Sequence, residues 1–516
     1  MTSSQRFGLL DRLWSRLDYL GGFMEESAAV RNYFLGIICY GYLSRKLENQ
    51  VSDLLLYDNC SFEEAWKDEK MNDYLRKELV LNLGYVIEPH YLYSTMVDQI
   101  KKGLFNLEYF QSGINSLSRS MIDVCSESSS LCYLFTDMKL SSSLLGQHIK
   151  SESNFITDTI IDIYEILFED DSIDPQFFGE AFEYLISRFA TSAGKKSGEF
   201  YTPPEISALI AKIVTAEKKE LRSVYDPTCG SASLLLRIAK EAKVGHFYGQ
   251  EKMSTIFNLA RMNMLLHEVS FERFDICNDE TLERPKHMDM HFEAVVAHPP
   301  YSAKWSADSH FLNDERFRSY GVLAPQSKAD FAFVQHMVHH LDFKGILAAI
   351  LPLGILFRGG SEGKIRSIFV EKYNYFDAII GLPPNLMYGT SIPVCILVIK
   401  KSRETNDRIM FIDASHDYEN GRNQNKLRDM DIDKIVDTYI NKKQIKGYSY
   451  LATLDELRDN DFNLNISRYI DKDIGSEMID IISAKRQLKE IDQKIEKIDD
   501  GIKSKLKELG IVFLDR

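Results

Sequence analysis

The chain has 516 residues and a mass of 59.4 kDa, room for about three domains at roughly 100–200 residues each. Hydrophobic residues at 44% and charged residues at 27% exclude a largely disordered chain, and 28 Gly with 13 Pro are too few for a collagen-like or low-complexity one. The formal net charge is −14, from 62 Lys plus Arg against 76 Asp plus Glu. It argues against unaided gripping of a polyphosphate, because non-specific DNA affinity comes from Lys and Arg displacing counterions.

Residues 1–165 read as an N-terminal helical domain. Within it, Val30, Phe34, Ile37, Ile38 and Leu47 recur on one helical face. A polar break follows at residues 126–130. The first 20 residues scatter Arg6, Asp11, Arg12, Arg16 and Asp18 among apolar positions, so no secretion signal is expected. Seven cysteines without a C-x-x-C predict reduced thiols and a cytoplasmic location.

Residues 166–415 alternate helical patterns with short apolar runs at 223–225, 246–248, 294–297, 346–351, 378–380 and 394–399. Continuous apolar runs between helical stretches predict an α/β domain with a mostly parallel sheet. Ligands of such sheets bind beyond the carboxyl ends of the strands. The longest apolar run, residues 346–357, is broken by Pro352 and Gly354. It falls short of the ~18 residues that span a bilayer, so no membrane partner is expected.

Residues 416–516 begin with a polar stretch at 420–426 and are expected to form a C-terminal helical segment. Ile481, Ala484, Leu488, Ile491, Ile495, Ile498 and Ile502 advance by alternating steps of three and four, which is a heptad seam. Such a seam needs an apolar surface to pack on. A partner subunit and an antiparallel helix of the same chain both satisfy it.

Three strand ends carry chemistry. Asp226-Pro227-Thr228-Cys229-Gly230-Ser231-Ala232-Ser233 follows the run 223–225 and precedes a helical pattern. A turn of small residues lets backbone N–H groups approach a ligand. Its leading acid suits an ammonium or sulfonium better than a phosphate, and the Lys of a P-loop is missing. Glu251, after Tyr248-Gly249-Gln250, is placed to accept from both hydroxyls of a ribose. His298-Pro299-Pro300-Tyr301 ends a third run. Two prolines fix the backbone and remove two donors. The freed carbonyls and the adjacent aromatic ring suit an extruded base with an exocyclic amine. Each segment alone also fits a plain strand-ending turn.

Taken together, these segments resemble the modification (HsdM) subunit of type I restriction–modification systems, an adenine-specific DNA methyltransferase. The resemblance is also carried by Glu199-Phe200-Tyr201-Thr202-Pro203, by Asn258-Leu259-Ala260-Arg261-Met262-Asn263-Met264, by Lys328-Ala329-Asp330-Phe331 and by Leu356-Phe357-Arg358-Gly359-Gly360. It implies a Rossmann-like methyltransferase core that takes S-adenosylmethionine and methylates the 6-amino group of adenine. It implies that Glu199, Phe200, Tyr201, Thr202 and Pro203 wall the methionine end of the cofactor. Asp226, Gly230, Ser231 and Ala232 would line its amino-acid and sugar region, Glu251 would hold the ribose, and Glu280 would meet the cofactor adenine. His298, Pro299, Pro300 and Tyr301 would form the catalytic turn. The implied partners are DNA, a specificity (HsdS) subunit, a second copy of the chain and a restriction (HsdR) subunit.

The chain departs from the family pattern at four positions. His298 stands where Asn is usual, Ala232 where Gly is, Met253 where Asn is and Glu280 where Asp is. A neutral imidazole has a single acceptor nitrogen, placed unlike an amide oxygen. Two readings follow: an active methylase, or an impaired scaffold that keeps its assembly role. No metal is expected. His336 and His340 are four apart, but spacing supplies no third ligand. Ser327 with Asp330 reads as a helix capping box. The polar stretch 302–326 is expected to close over DNA, with Lys195 and Lys196 as further phosphate contacts.

Overall fold

From residue 220 onward, alternating and continuous apolar runs pair into one nine-stranded sheet in the computed structural model. The structure describes residues 3–21, 27–58, 60–124, 131, 133–138, 149–170, 173–192, 201–421, 424–470, 491, 493–495, 497–498, 500–502 and 505. The chain forms two units, residues 1–470 and 471–516.

The strands are β1 (Glu220–Asp226), β2 (Lys243–Glu251), β3 (Phe274–Asn278), β4 (Phe292–Ala297), β5 (Leu341–Pro352), β6 (Phe376–Gly381), β7 (Val394–Ile399), β8 (Ile409–Asp413) and β9 (Ser449–Ala452). Their spatial order is β3-β2-β1-β4-β5-β7-β6-β8-β9. Strands β1 to β5 are parallel to one another, whereas β7 runs antiparallel to both β5 and β6. Every residue of β6 and β7 is buried, which explains why they read as unbroken apolar runs. The chain leaves β1 toward β2 and β3, then returns to build β4 and β5 on the other side. The switch point between β1 and β4 opens a crevice at their carboxyl ends, where Asp226 and Ala297 lie.

All six predicted runs lie in strands. Strands β3, β8 and β9 were not expected. They are only four or five residues long and lack a distinctive pattern. Strand β9 carries the sheet past the expected boundary at 415, and the first unit runs on to residue 470. The polar stretch near 420 is tied down: Glu419 bridges Lys426, and the Asn425 side chain donates to the Pro384 carbonyl at 2.9 Å. The helix Asp429–Ile440 then buries Ile432, Ile435 and Tyr439 in the main core. Among the described residues before 165 there is no strand. Phe34, Ile37, Ile38 and Leu47 are buried on the helix Ser27–Leu54, in the same core cluster as residues of the sheet. The break at 126–130 lies outside the described residues.

One buried charge fastens the far half of the sheet. Asp377, in β6, accepts from Arg403 at 2.5 Å, from the Tyr439 hydroxyl at 2.7 Å and from Lys442 at 3.2 Å. Burial alone would raise its carboxyl. Lys442, Lys400 and Arg403 outweigh that and hold it at about 2. Stability from this group is full above the unfolded carboxyl's value of about 3.9 and fades as pH falls toward 2. Replacing Asp377 with Ala leaves the Arg403 guanidinium, 6% exposed, without its anionic partner and with backbone carbonyls alone. Urea unfolding at pH 7 is expected to show a loss of about 3–5 kcal/mol. The difference from the parent should shrink below pH 4.

Candidate active site

Strand β1 ends at Asp226, which is 2% exposed. One carboxylate oxygen accepts from the Thr228 N–H at 2.9 Å, folding the chain back on itself. Gly230 follows with φ +53°, and Ala232 caps the helix Ser233–Glu241 in the left-handed region at φ +62°. Glycine takes that backbone freely, whereas Ala there costs about 1 kcal/mol. The departure at 232 therefore stores strain at the turn.

Strand β2, beside β1, ends at Glu251. Its two carboxylate oxygens accept from the Gly230 N–H at 3.1 Å and the Met253 N–H at 2.8 Å. Glu251 is thus aimed across the turn that follows β1. Burial pushes Asp226 up to about 8, with the nearby Glu251 adding to it. Burial also raises Glu251, against the pull of the Met253 and Gly230 amides. Met253 is 53% exposed and contributes only its backbone here.

His298 ends β4 on the other side of β1 and is almost fully buried. Its Nδ1 lies 3.0 Å from the Thr202 hydroxyl. Burial lowers the imidazole to about 4, so it is neutral at pH 7. Tyr201, Thr202, Asp226, Gly230, Ser231 and His298 line one narrow cleft. The Tyr301 ring lies 5.1 Å from the imidazole, tilted by 49°. Its hydroxyl is buried and has no hydrogen-bond partner among the described residues. Pro299 is buried and Pro300 half-buried.

The fold also places residues that the motifs alone did not single out. The Asn263 side chain donates to the Ser231 carbonyl at 2.9 Å, holding the turn from the helix Ser254–Leu266. Buried Gln250 donates to the Asp279 and Arg284 carbonyls at 3.2 and 3.1 Å, fixing the segment that carries Glu280. Glu280 itself accepts from the Glu283 N–H at 2.7 Å and does not line the cleft. Glu199 and Phe200 lie outside the described residues, as do Lys195 and Lys196. Pro203 directly precedes the helix Pro204–Val214.

Two expectations are corrected. Ser327 and Asp330 form no capping box: the helix Asp330–His340 has Ala329 at its N-cap and no side-chain cap. Asp330 instead accepts from the Ser302 N–H at 2.9 Å and from Arg358, fixing the backbone just past Tyr301. The segment 302–326 is not a free loop. Trp305, Phe311, Phe317 and Tyr320 are buried, and buried Arg316 donates to the Leu282 carbonyl at 2.8 Å. His336 lies 3.0 Å from the Tyr225 hydroxyl, and His340 lies 2.9 Å from the Met290 carbonyl. Both are held by core hydrogen bonds.

This donor set fits S-adenosylmethionine. A carboxyl that burial pushes up to about 8 would be relieved by an ammonium or sulfonium. The free lone pairs of Glu251 suit a diol. Residues 173–477 match the family described as N-6 DNA Methylase. The methylase subunit of the type I restriction enzyme MpnII from Mycoplasma pneumoniae is 34% identical over 99% of this chain and 98% of its own length. The crystal structure of the type I restriction-modification system methyltransferase subunit from Streptococcus thermophilus superposes with a TM-score of 0.83 at 34% identity. It covers 90% of this chain and 100% of that one. A structure described as underlying complex assembly and conformational transition of the type I R-M system shares the fold, with a TM-score of 0.62 at 16% identity over 97% of this chain and 99% of that one.

The raised carboxyl has a pH signature. The unfolded chain loses this proton near 3.9 and the folded chain near 8. Folding therefore takes up a proton between those values, and stability falls as pH rises through that window. Asp226→Asn is expected to be more stable than the parent at pH 8 and level with it near pH 4, by thermal unfolding. The same substitution should weaken S-adenosylmethionine binding about 10–100-fold in calorimetry, the worth of a charged partner.

Proposed function

The chain belongs to the N-6 DNA methylase family, as a methylase subunit of the type I restriction–modification class, and from that premise we propose how its own residues carry the reaction. It is an adenine-specific DNA methyltransferase that uses S-adenosylmethionine, which supplies an electrophilic methyl group on a sulfonium. Nothing in the geometry or the comparisons favours an inactive scaffold over this enzyme. The observation that carries the residue-level reading is the convergence of Asp226, Gly230, Thr202 and His298 on one cleft at the β1/β4 switch point.

In this reading Asp226 faces the cationic portion of the cofactor, and Glu251 holds the ribose hydroxyls. Glu199, Phe200, Tyr201, Thr202 and Pro203 wall the methionine end. Gly230, Ser231 and strained Ala232 bring backbone close to the sugar. Glu280 is assigned to the adenine, reached with the oxygen that Glu283 leaves free. The Pro299 carbonyl accepts one N–H of the target amine, and Tyr301 offers its ring to the extruded base. Two acceptors draw the amine toward tetrahedral geometry and steady the positive charge it develops during transfer.

His298 supplies the second acceptor, and Thr202 selects its tautomer. A neutral imidazole carries one proton. When Nδ1–H donates to the Thr202 hydroxyl, Nε2 is left as an acceptor. The opposite arrangement would present a donor to an amine and repel it. Burial keeps the ring neutral, as this role requires.

Methylase subunits of this class work with specificity and restriction subunits. We assign the target sequence to the specificity subunit, with two copies of this chain to one, and a restriction subunit joining. The seam through Ile491, Ile495, Ile498 and Ile502, each about half-exposed on helical residues, is the docking surface for the specificity subunit. Ile481, Ala484 and Leu488 lie outside the described residues. No helix among the described residues is long and apolar enough to cross a membrane, and the reading places the chain in the cytoplasm with its DNA.

Adenine methylation by the purified complex with its specificity subunit tests the assignment. His298→Ala is expected to lower turnover about 10²–10³-fold, whereas His298→Asn stays within about tenfold of the parent, the worth of one hydrogen bond. Thr202→Val should cost about tenfold in the parent and little in the His298→Asn background, because the two side chains act as one unit. Equal cost in both backgrounds would remove the tautomer role. A gain of 10²–10³-fold for His298→Asn would mark the parent as an impaired enzyme.

A further inference from the structure

Strand β3 forms one edge of the sheet. Phe274 and Ile276 point into the main core, so Asp275 and Cys277 share the opposite, half-buried face. The segment after β3 turns back and places His287 over that face. Its side chain is only 3% exposed. The three ligand atoms lie within 4.8 Å of one another. The imidazole Nε2 is 3.2 Å from the Asp275 carboxylate and 3.8 Å from the Cys277 sulfur, and that sulfur is 3.6 Å from the other carboxylate oxygen.

Those separations, in which the imidazole and the thiol meet different oxygens of Asp275, bracket the edges of a tetrahedron around one ion. With bonds of about 2.0–2.1 Å to N or O and 2.3 Å to S, the edges fall at roughly 3.3–3.6 Å. The His–Asp separation sits at the long end of an N–H···O hydrogen bond. The second observation concerns the other ring nitrogen. Nδ1 of His287 is buried with no hydrogen-bond partner among the described residues. The rings of Tyr225, Tyr248 and Phe292 surround the imidazole at 5.5, 5.6 and 6.4 Å, near-perpendicular to it at 71°, 80° and 81°. Aromatic faces carry negative charge density, so an N–H is better placed there than a lone pair. A neutral ring then turns the lone pair of Nε2 toward Asp275 and Cys277, where a carboxylate, an imidazole lone pair and a thiol that a bound metal would deprotonate converge.

We propose that Asp275, Cys277 and His287 form a binding site for one zinc-class divalent cation, with water at the fourth position. One thiolate, one imidazole and one carboxylate suit zinc or cobalt over calcium or magnesium, which demand oxygen ligands. The ion would clamp the segment 279–291 onto the sheet edge. That segment carries Glu280, so on the proposed function occupancy of the site would brace the contact assigned to the cofactor adenine without touching the reacting atoms. The alternative occupant of the same geometry is a proton, giving an imidazolium paired with Asp275.

Cobalt(II) titration of the full-length, reduced, chelator-treated chain separates the two. The proposal expects one equivalent bound, with a thiolate-to-metal charge-transfer band and intense ligand-field bands of a four-coordinate ion. Zinc should displace the cobalt. The charge-transfer band should disappear in Cys277→Ser and persist in Cys60→Ser. His287→Gln and Asp275→Asn should each weaken binding by at least about 100-fold, the upper end of what loss of even an outer partner costs. The two variants keep the hydrogen-bonding shape, so a folded chain remains available should Cys277→Ser fail to fold. A parent that gives no charge-transfer band, a band that survives in Cys277→Ser, or unchanged affinity in the two variants would overturn the site. None of these readouts depends on methylation.

Discussion

The structure turns on two carboxylates withdrawn from water at the ends of neighbouring parallel strands. Asp226 and Glu251 are brought together by the β1–β2 pairing, in which Asp226 lies opposite Gly249. Removing carboxylates from water without a cation is unfavourable, and the fold meets that cost with backbone donors and with a proton on Asp226. Much of the surrounding architecture serves this arrangement. Gly230 and Ala232 take left-handed backbone so that the turn can close, Asn263 holds the Ser231 carbonyl, and Gln250 braces the next loop. Two buried carboxyls so held suit a positively charged ligand.

The second constraint is the link between chain segments 96 residues apart, Thr202 and His298. It joins the segment before the sheet to the residue that follows β4, and both side chains line the cleft. Asp330 and Arg358 fix the same region from behind by holding Ser302. The unusual residue at 298 is therefore part of a connected set. A side chain of different shape from an amide is kept neutral by burial and oriented by a hydroxyl, so the substitution and its surroundings are consistent with one another.

The sequence made the centre of the sheet legible because β1, β2, β4, β5, β6 and β7 carry continuous apolar runs, and β1, β2 and β4 lead into turns with distinctive chemistry. Asp226, Glu251 and His298 could be placed at strand ends for that reason. Strand β9 was missed because four residues at an edge, two of them half-buried, leave little periodicity to detect. Asp330 was misread because an acid three residues after a Ser is a capping pattern locally, while its real partners, Ser302 and Arg358, are each 28 residues away. The stretch 302–326 reads as polar and mobile from its composition, yet the Arg316 guanidinium within it is buried against carbonyls of the loop that follows β3. Asp275, Cys277 and His287 carry no spacing signature, since strand geometry and a returning loop bring them together. In each case the missing information was tertiary.

Hydrogen–deuterium exchange of the full chain, with and without S-adenosylmethionine, tests the central claim most directly. If the cofactor sets its cationic portion against Asp226 and its ribose on Glu251, the amides of Gly230, Met253 and the first turn of the helix Ser233–Glu241 should exchange more slowly with ligand. Protection absent there and confined instead to the polar cleft beside Arg76 and Arg119 in the helical region would contradict the account.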